Sequence, residues 1–149
     1  MLRINDVVMF GERRYRILDT SESRYTWIKI DSDKSFPERI QICEVEEAIL
    51  SETIKKVDDP FSHLAAQIPV QGSVAQQLRD KRRAIISSLI HQPDIYYRDR
   101  RGALIQKAVD ESGAAKKTIY AYLRQYWIRG CTPNALLPDY DNSGGRGKK

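Results

Sequence analysis

The feature that most constrains this chain is an apolar stripe near its C-terminal end. Ile119, Tyr122, Leu123, Tyr126 and Trp127 recur at the spacing of one face of an α-helix. The spacing predicts a helix over 116–129 that must bury this face, with Gly130 ending it. Upstream, Leu104, Ile105, Ala108 and Val109 form the compact apolar face of another helix. Asp99 is placed to cap its start, and Gly113 follows as a left-handed turn residue. A first helix is predicted from Ser73 through Leu78, Ile85, Ile86, Leu89 and Ile90 to His91, with Pro93 stopping it. It opens on a capping box, in which the Ser73 hydroxyl accepts from the Gln76 N–H and the Gln76 side chain returns to Ser73. Two helices joined by a short Gly-containing turn and braced by a third make a helix-turn-helix arrangement.

The first third of the chain has a different period. Residues 5–10, 14–18 and 24–30 are short runs rich in β-branched and aromatic residues, separated by turn-like Gly11-Glu12-Arg13 and Asp19-Thr20-Ser21-Glu22-Ser23. A fourth strand around 38–43 completes a small antiparallel meander or open barrel, and 44–53 reads as a short helix with Val45, Ala48 and Ile49 on one face. Tyr25, Trp27 and Lys29 share one strand face, where core burial or contact with another domain outweighs a role as a stacking platform. The fold class is therefore α+β, a β-rich unit over 1–60 and a helix-turn-helix domain over 73–131. A linker over 61–72 separates them, and an extended connector with a basic, Gly-rich tail over 132–149 follows. The helical part is expected to stand without the first.

Charge divides at the same place. Residues 1–60 hold 10 Lys and Arg against 13 Asp and Glu, a net −3, whereas 61–149 hold 15 against 7, a net +8. Such asymmetry points to a polyanion partner for the second part, with a solvated basic surface as the alternative that charge alone leaves open; with the helix-turn-helix arrangement the expected partner is double-stranded DNA. No apolar run approaches the ~20 residues that span a bilayer, and the expected location is cytoplasmic. Cys43, Cys131, His63 and His91 match no zinc spacing, so no cofactor is expected in this chain. The carboxylates at Asp31 and Asp33, Glu44, Glu46 and Glu47, and Asp58 and Asp59 lack a convergent partner, which argues against catalysis.

With the apolar stripe turned inward, the opposite face of the last helix carries Lys116, Lys117, Tyr120, Ala121 and Arg124, with Thr118 and Gln125 at its margins. Arg124 has the fork to bond a guanine edge, Gln125 suits adenine, and Ala121 allows close approach or contact with a thymine methyl. Lys116, Lys117, Thr118 and Tyr120 suit phosphates and groove edges. Ala114 and Ala115 leave the helix start without a side-chain cap, free to meet a phosphate. Arg82 and Arg83, and Arg100 and Arg101, are further phosphate-clamp candidates, although Asp80 and Asp99 lie within the same clusters.

Several stretches also carry a family resemblance. They are 4–10 with Tyr15-Arg16-Ile17-Leu18, Asp58-Asp59-Pro60-Phe61 with His63-Leu64, and 117–120 continuing through 123–127, Arg129-Gly130 and 132–140. In these the chain resembles the N-terminal region of TnsB, the transposase subunit of TnsABC-type bacterial transposons. TnsB proteins are themselves similar to phage Mu transposase and retroviral integrases. The resemblance implies binding to repeated sites at transposon ends through the helix carrying Lys117, Thr118, Tyr120 and Arg124. It also implies TnsA and TnsC as partners of the longer protein, and Mg-dependent strand-transfer chemistry in a ribonuclease-H-like domain that follows. No catalytic residue carries over, and the fragment is expected to be inert. A stand-alone transcription regulator or a protein-interaction module is the alternative.

Overall fold

The computed structural model describes residues 1–138; the basic tail and the end of the expected connector, Asp139 onward, lie outside them. Five antiparallel strands form one sheet in the order β4-β3-β2-β1-β5: β1 (Val7–Phe10), β2 (Arg13–Ser21), β3 (Arg24–Lys29), β4 (Glu38–Gln41) and β5 (Ile54–Val57). Helix α1 (Ile42–Leu50) lies between β4 and β5 in sequence, and α2 (Val74–Ile86), α3 (Arg98–Ser112) and α4 (Lys116–Ile128) follow. The fold is α+β, as the two periodicities require.

Both faces of the sheet are buried, and strand alternation assigns each residue its side. Val8, Tyr15, Ile17, Tyr25 and Trp27 face α1 and pack with Val45, with Tyr15 and Trp27 stacked at 4.2 Å. Tyr25 and Trp27 are therefore core residues rather than an open platform. Val7, Leu18, Ile28 and Ile30 face the other way into a single core with Ile86, Ile95, Ile105, Ile119, Leu123 and Trp127. The sheet thus supplies one wall of the helical unit's core.

Several boundaries differ from the sequence reading. The strand β5 was not anticipated, because Ile-Lys-Lys-Val offers only two apolar positions; as an edge strand paired with β1 it needs no more, and its lysines face solvent. The helix α1 starts two residues earlier than expected and stops at Leu50, where Glu52 takes a left-handed φ of 63° and Thr53 N–H bonds Ala48 O at 2.8 Å. The helix α2 ends at Ile86, and the chain to His91 continues as turns. Ser73 caps it as expected, but the Gln76 side chain accepts from the Gly72 N–H, not from Ser73. Tyr97, not Asp99, is the residue preceding α3, and it makes no side-chain cap bond.

The last described segment also departs from an extended connector. Residues Pro133–Leu136 form a 3-10 turn whose Asn134, Ala135 and Leu136 are buried. Asn134 donates to Leu64 O and Gln67 O, both at 2.7 Å, and accepts from Arg79 at 2.8 Å. One amide thereby ties the 3-10 turn Ser62–Ala66, at the start of the expected linker, to α2.

The seam between sheet and helices is set by Arg16, which is fully buried. Its guanidinium pairs with both Asp59 oxygens at 2.7 and 2.8 Å and donates to Ile128 O at 3.0 and 3.3 Å and to Asn5 Oδ1 at 3.1 Å. Asn5 in turn donates to Gly130 O at 2.9 Å. Gly130 has a φ of 117°, a backbone conformation that L side chains rarely adopt, so the position suits glycine.

Burial alone would raise the Asp59 carboxyl, but hydrogen bonds from Arg16 and the Phe61 N–H, together with the Arg16 charge, hold it below the usual range. Its stabilising contribution is therefore complete above the unfolded aspartate value of about 3.9 and is lost as pH falls through the lower folded value. Asp59→Asn should cost about 3 kcal/mol at neutral pH by leaving Arg16 without its counter-charge. Denaturant titrations should show this gap closing below about pH 4; a gap independent of pH would contradict the assigned pairing. The shared core makes a second prediction, against the expectation that the helical part stands alone. Residues 61–149 by themselves should melt at lower temperature and less cooperatively than the whole chain, and an unchanged melting curve would show that the sheet is dispensable.

Candidate nucleic-acid interface

Helices α3 and α4 are joined by residues 113–115, with Gly113 in the left-handed region at φ 75°. That conformation closes α3 and turns the chain sharply enough for α4 to pack back on it. On α4, Ile119, Leu123, Trp127 and Ile128 are buried. Tyr122 and Tyr126 pack at the margin of the same core. On the other side Lys116, Lys117 and Ala121 are exposed and Thr118 and Tyr120 partly so. No side chain caps the helix start. The first two turns thus present two cations, a hydroxyl, a phenol and a methyl outward.

The second half of that face is engaged by the chain itself. Arg124 Nε donates to Ser35 O at 3.1 Å, and its guanidinium lies 4.2 Å from the Phe36 ring centroid and 5.8 Å from that of Tyr120. Phe36 and Tyr120 meet edge to face at 5.6 Å. Gln125 donates to Leu137 O at 3.0 Å and accepts from Arg82 at 3.4 Å. A cleft of about 380 Å³ separates Asp31 and Ser32 of the β3–β4 loop from Ala121 and Arg124.

The four outlying arginines divide. Arg83 is exposed. Arg100 is exposed too, pairing with Asp94 at 3.1 Å and covering the Tyr97 ring at 4.3 Å. Arg82 is half-buried, bonded to Leu136 O at 3.3 Å and set over Tyr122. Arg101 is only 6% exposed, donating to Ile95 O at 2.8 Å and Tyr96 O at 3.3 Å. Burial pulls its pKa down, and Arg124 and Arg98 pull the same way against Tyr120. Its place is in the fold, so the expected Arg100–Arg101 clamp reduces to Arg100 at the surface.

Sequence reasoning missed Ser35 and Phe36. They lie 89 and 88 positions from Arg124, and nothing in a loop of Ser, Asp and Lys signals contact with a distant helix. The cysteines offer no nucleophile at this face: Cys43 lies on α1, and burial pushes the Cys131 thiol up to about 12. Among the described residues no group of three or more His, Cys, Asp or Glu is placed to hold a metal, and no helix is long and apolar enough to cross a membrane.

Two family models match the chain. The TnsB N-terminal SH3-like domain matches residues 1–60 and the TnsB second domain matches residues 79–140. The chain is also 36% identical, over all 149 residues, to the Transposon Tn7 transposition protein TnsB of Escherichia coli, of which it spans 21%. The sheet with α1 coincides with the first matched domain, and α2 to α4 fall largely within the second. The chain belongs to the TnsB family of transposition proteins, matching their N-terminal SH3-like and second domains.

Proposed function

We propose that this chain binds double-stranded DNA at transposon ends, with α4 entering the major groove. The observation that carries this reading is the two-sided α4: buried Ile119, Leu123 and Trp127 on one side, and on the other an exposed Lys116, Lys117 and Ala121 over its first turns. In helix-turn-helix proteins the N-terminal residues of the second helix reach base edges. Lys116 and Lys117 neutralise phosphates beside the groove, aided by the uncapped helix start. Thr118 and Tyr120 contact its edges. The Ala121 methyl lets the helix approach closely and suits a thymine methyl, while Arg124 reaches a guanine edge. Arg83 and Arg100 serve flanking phosphates. Gln125, Arg82 and Arg101 brace the helix from behind and need not touch DNA.

A stand-alone regulator would use the same helix, but membership of the TnsB family favours end recognition. On this reading, strand-transfer chemistry with its divalent metal, and contacts with TnsA and TnsC, belong to parts of a longer protein outside the matched region.

Gel-shift titrations should show affinity falling steeply with salt; no binding to any duplex, or none that salt weakens, would remove the reading. Lys117→Ala should weaken specific and non-specific duplexes about equally and lower the salt slope by about 1. Arg124→Ala should lose about 1–3 kcal/mol of specific binding and, with its Ser35 bond gone, about 1 kcal/mol of stability. Trp127→Ala should instead cost about 3–5 kcal/mol of stability as a core truncation. A reversal of the last two outcomes would mean that the faces of α4 are assigned backwards.

A further inference from the structure

We infer that Phe36, on the loop between β3 and β4, is a positioning residue that sets the sequence specificity of Arg124. This rests on α4 being the DNA-facing helix. It gives the SH3-like domain a share in reading sequence that requires no contact of its own with a base.

The loop is built to hold still. At its start Asp31 accepts the Arg14 backbone N–H at 2.7 Å and two guanidinium bonds from the same residue at 2.8 and 3.0 Å. At its end Pro37 is buried and has a fixed φ. Between them Phe36 lies 5.1 Å from the Arg101 guanidinium, which is itself anchored on two carbonyls, and against the edge of Tyr120. The ring is 38% exposed, so part of it stays open to solvent.

What the ring does there is hold Arg124. A free arginine on a helix surface samples many rotamers, and ordering it on DNA costs entropy. Stacking on Phe36 and the Nε bond to Ser35 O fix the guanidinium plane beforehand, which is preorganisation for a bidentate contact. Among the described residues the Nε is the only Arg124 side-chain nitrogen with a hydrogen-bond partner, so the two terminal nitrogens remain available as the fork.

The test uses the whole chain, a duplex it selects from a random-sequence library, and a scrambled duplex of equal length. Phe36→Ala should lower the ratio of selected to scrambled affinity by about three- to tenfold, with scrambled-duplex affinity unchanged. Phe36→Tyr should keep the ratio, and Phe36→Leu, which retains apolar bulk without a ring face, should lose it as Phe36→Ala does. Melting curves of the leucine variant separate lost positioning from lost folding. In an Arg124→Ala background, Phe36→Ala should have no further effect on specificity. A ratio unchanged or raised in Phe36→Ala, or effects that add in the double variant, would overturn the proposal while leaving α4 as reader. If the wild-type chain selects no sequence at all, the DNA reading fails and this proposal fails with it.

Discussion

The structure depends on one buried cation. Arg16 sits on the inward face of β2, level with Val7 on β1 and Ile28 on β3, where the strand pattern otherwise demands an apolar residue. Burying a guanidinium is costly unless every donor is met, and here Asp59, Ile128 O and Asn5 meet them. Ile128 O is one of the carbonyls that the end of an α-helix leaves unpaired. Arg16 therefore caps α4, and its charge is favourable at the negative end of the helix dipole. A leucine would fill the same space, but it would not specify how the helix ends against the sheet.

From that contact the rest of the geometry follows. The SH3-like domain holds α4 at its end through Arg16 and Asn5, and at its middle through Ser35 and Phe36. A helix gripped at two levels has its axis and rotation determined. What remains free is its first two turns, the part that a groove-binding helix presents to bases. The unit with net negative charge thus serves a basic neighbour as a platform.

The same frame gives structural meaning to the stretches that carry the family likeness. Asp59 is the counter-charge of Arg16 and also receives the Phe61 N–H at 2.9 Å, which turns the chain from β5 toward the helices. Asn134 bridges the turn at 62–66 with α2. Neither residue lies on α4. Their work is to join the two domains into one core.

The sequence by itself determined the elements whose signal is local and repeated: the strands of the meander, the capped start at Ser73, the Gly113 turn, and the buried side of α4 down to Trp127. Period is short-range physics, and helices of 13–15 residues are long enough to express it in α2, α3 and α4; among the three, a side-chain cap is present only at Ser73. It also indicated the exposed start of α4, because a buried stripe leaves the opposite face to solvent. Only the tertiary structure decided which of the candidate cations are free. Lys116 and Lys117 project, while Arg101 is spent on carbonyls and Arg124 is shared with a loop almost 90 residues away. It alone paired Arg16 with Asp59, turned four residues with two lysines into an edge strand, and folded the connector at 133–136 into the core. Each of these rests on an interaction between segments distant in the chain, and neither composition nor periodicity encodes which distant partner a side chain will meet.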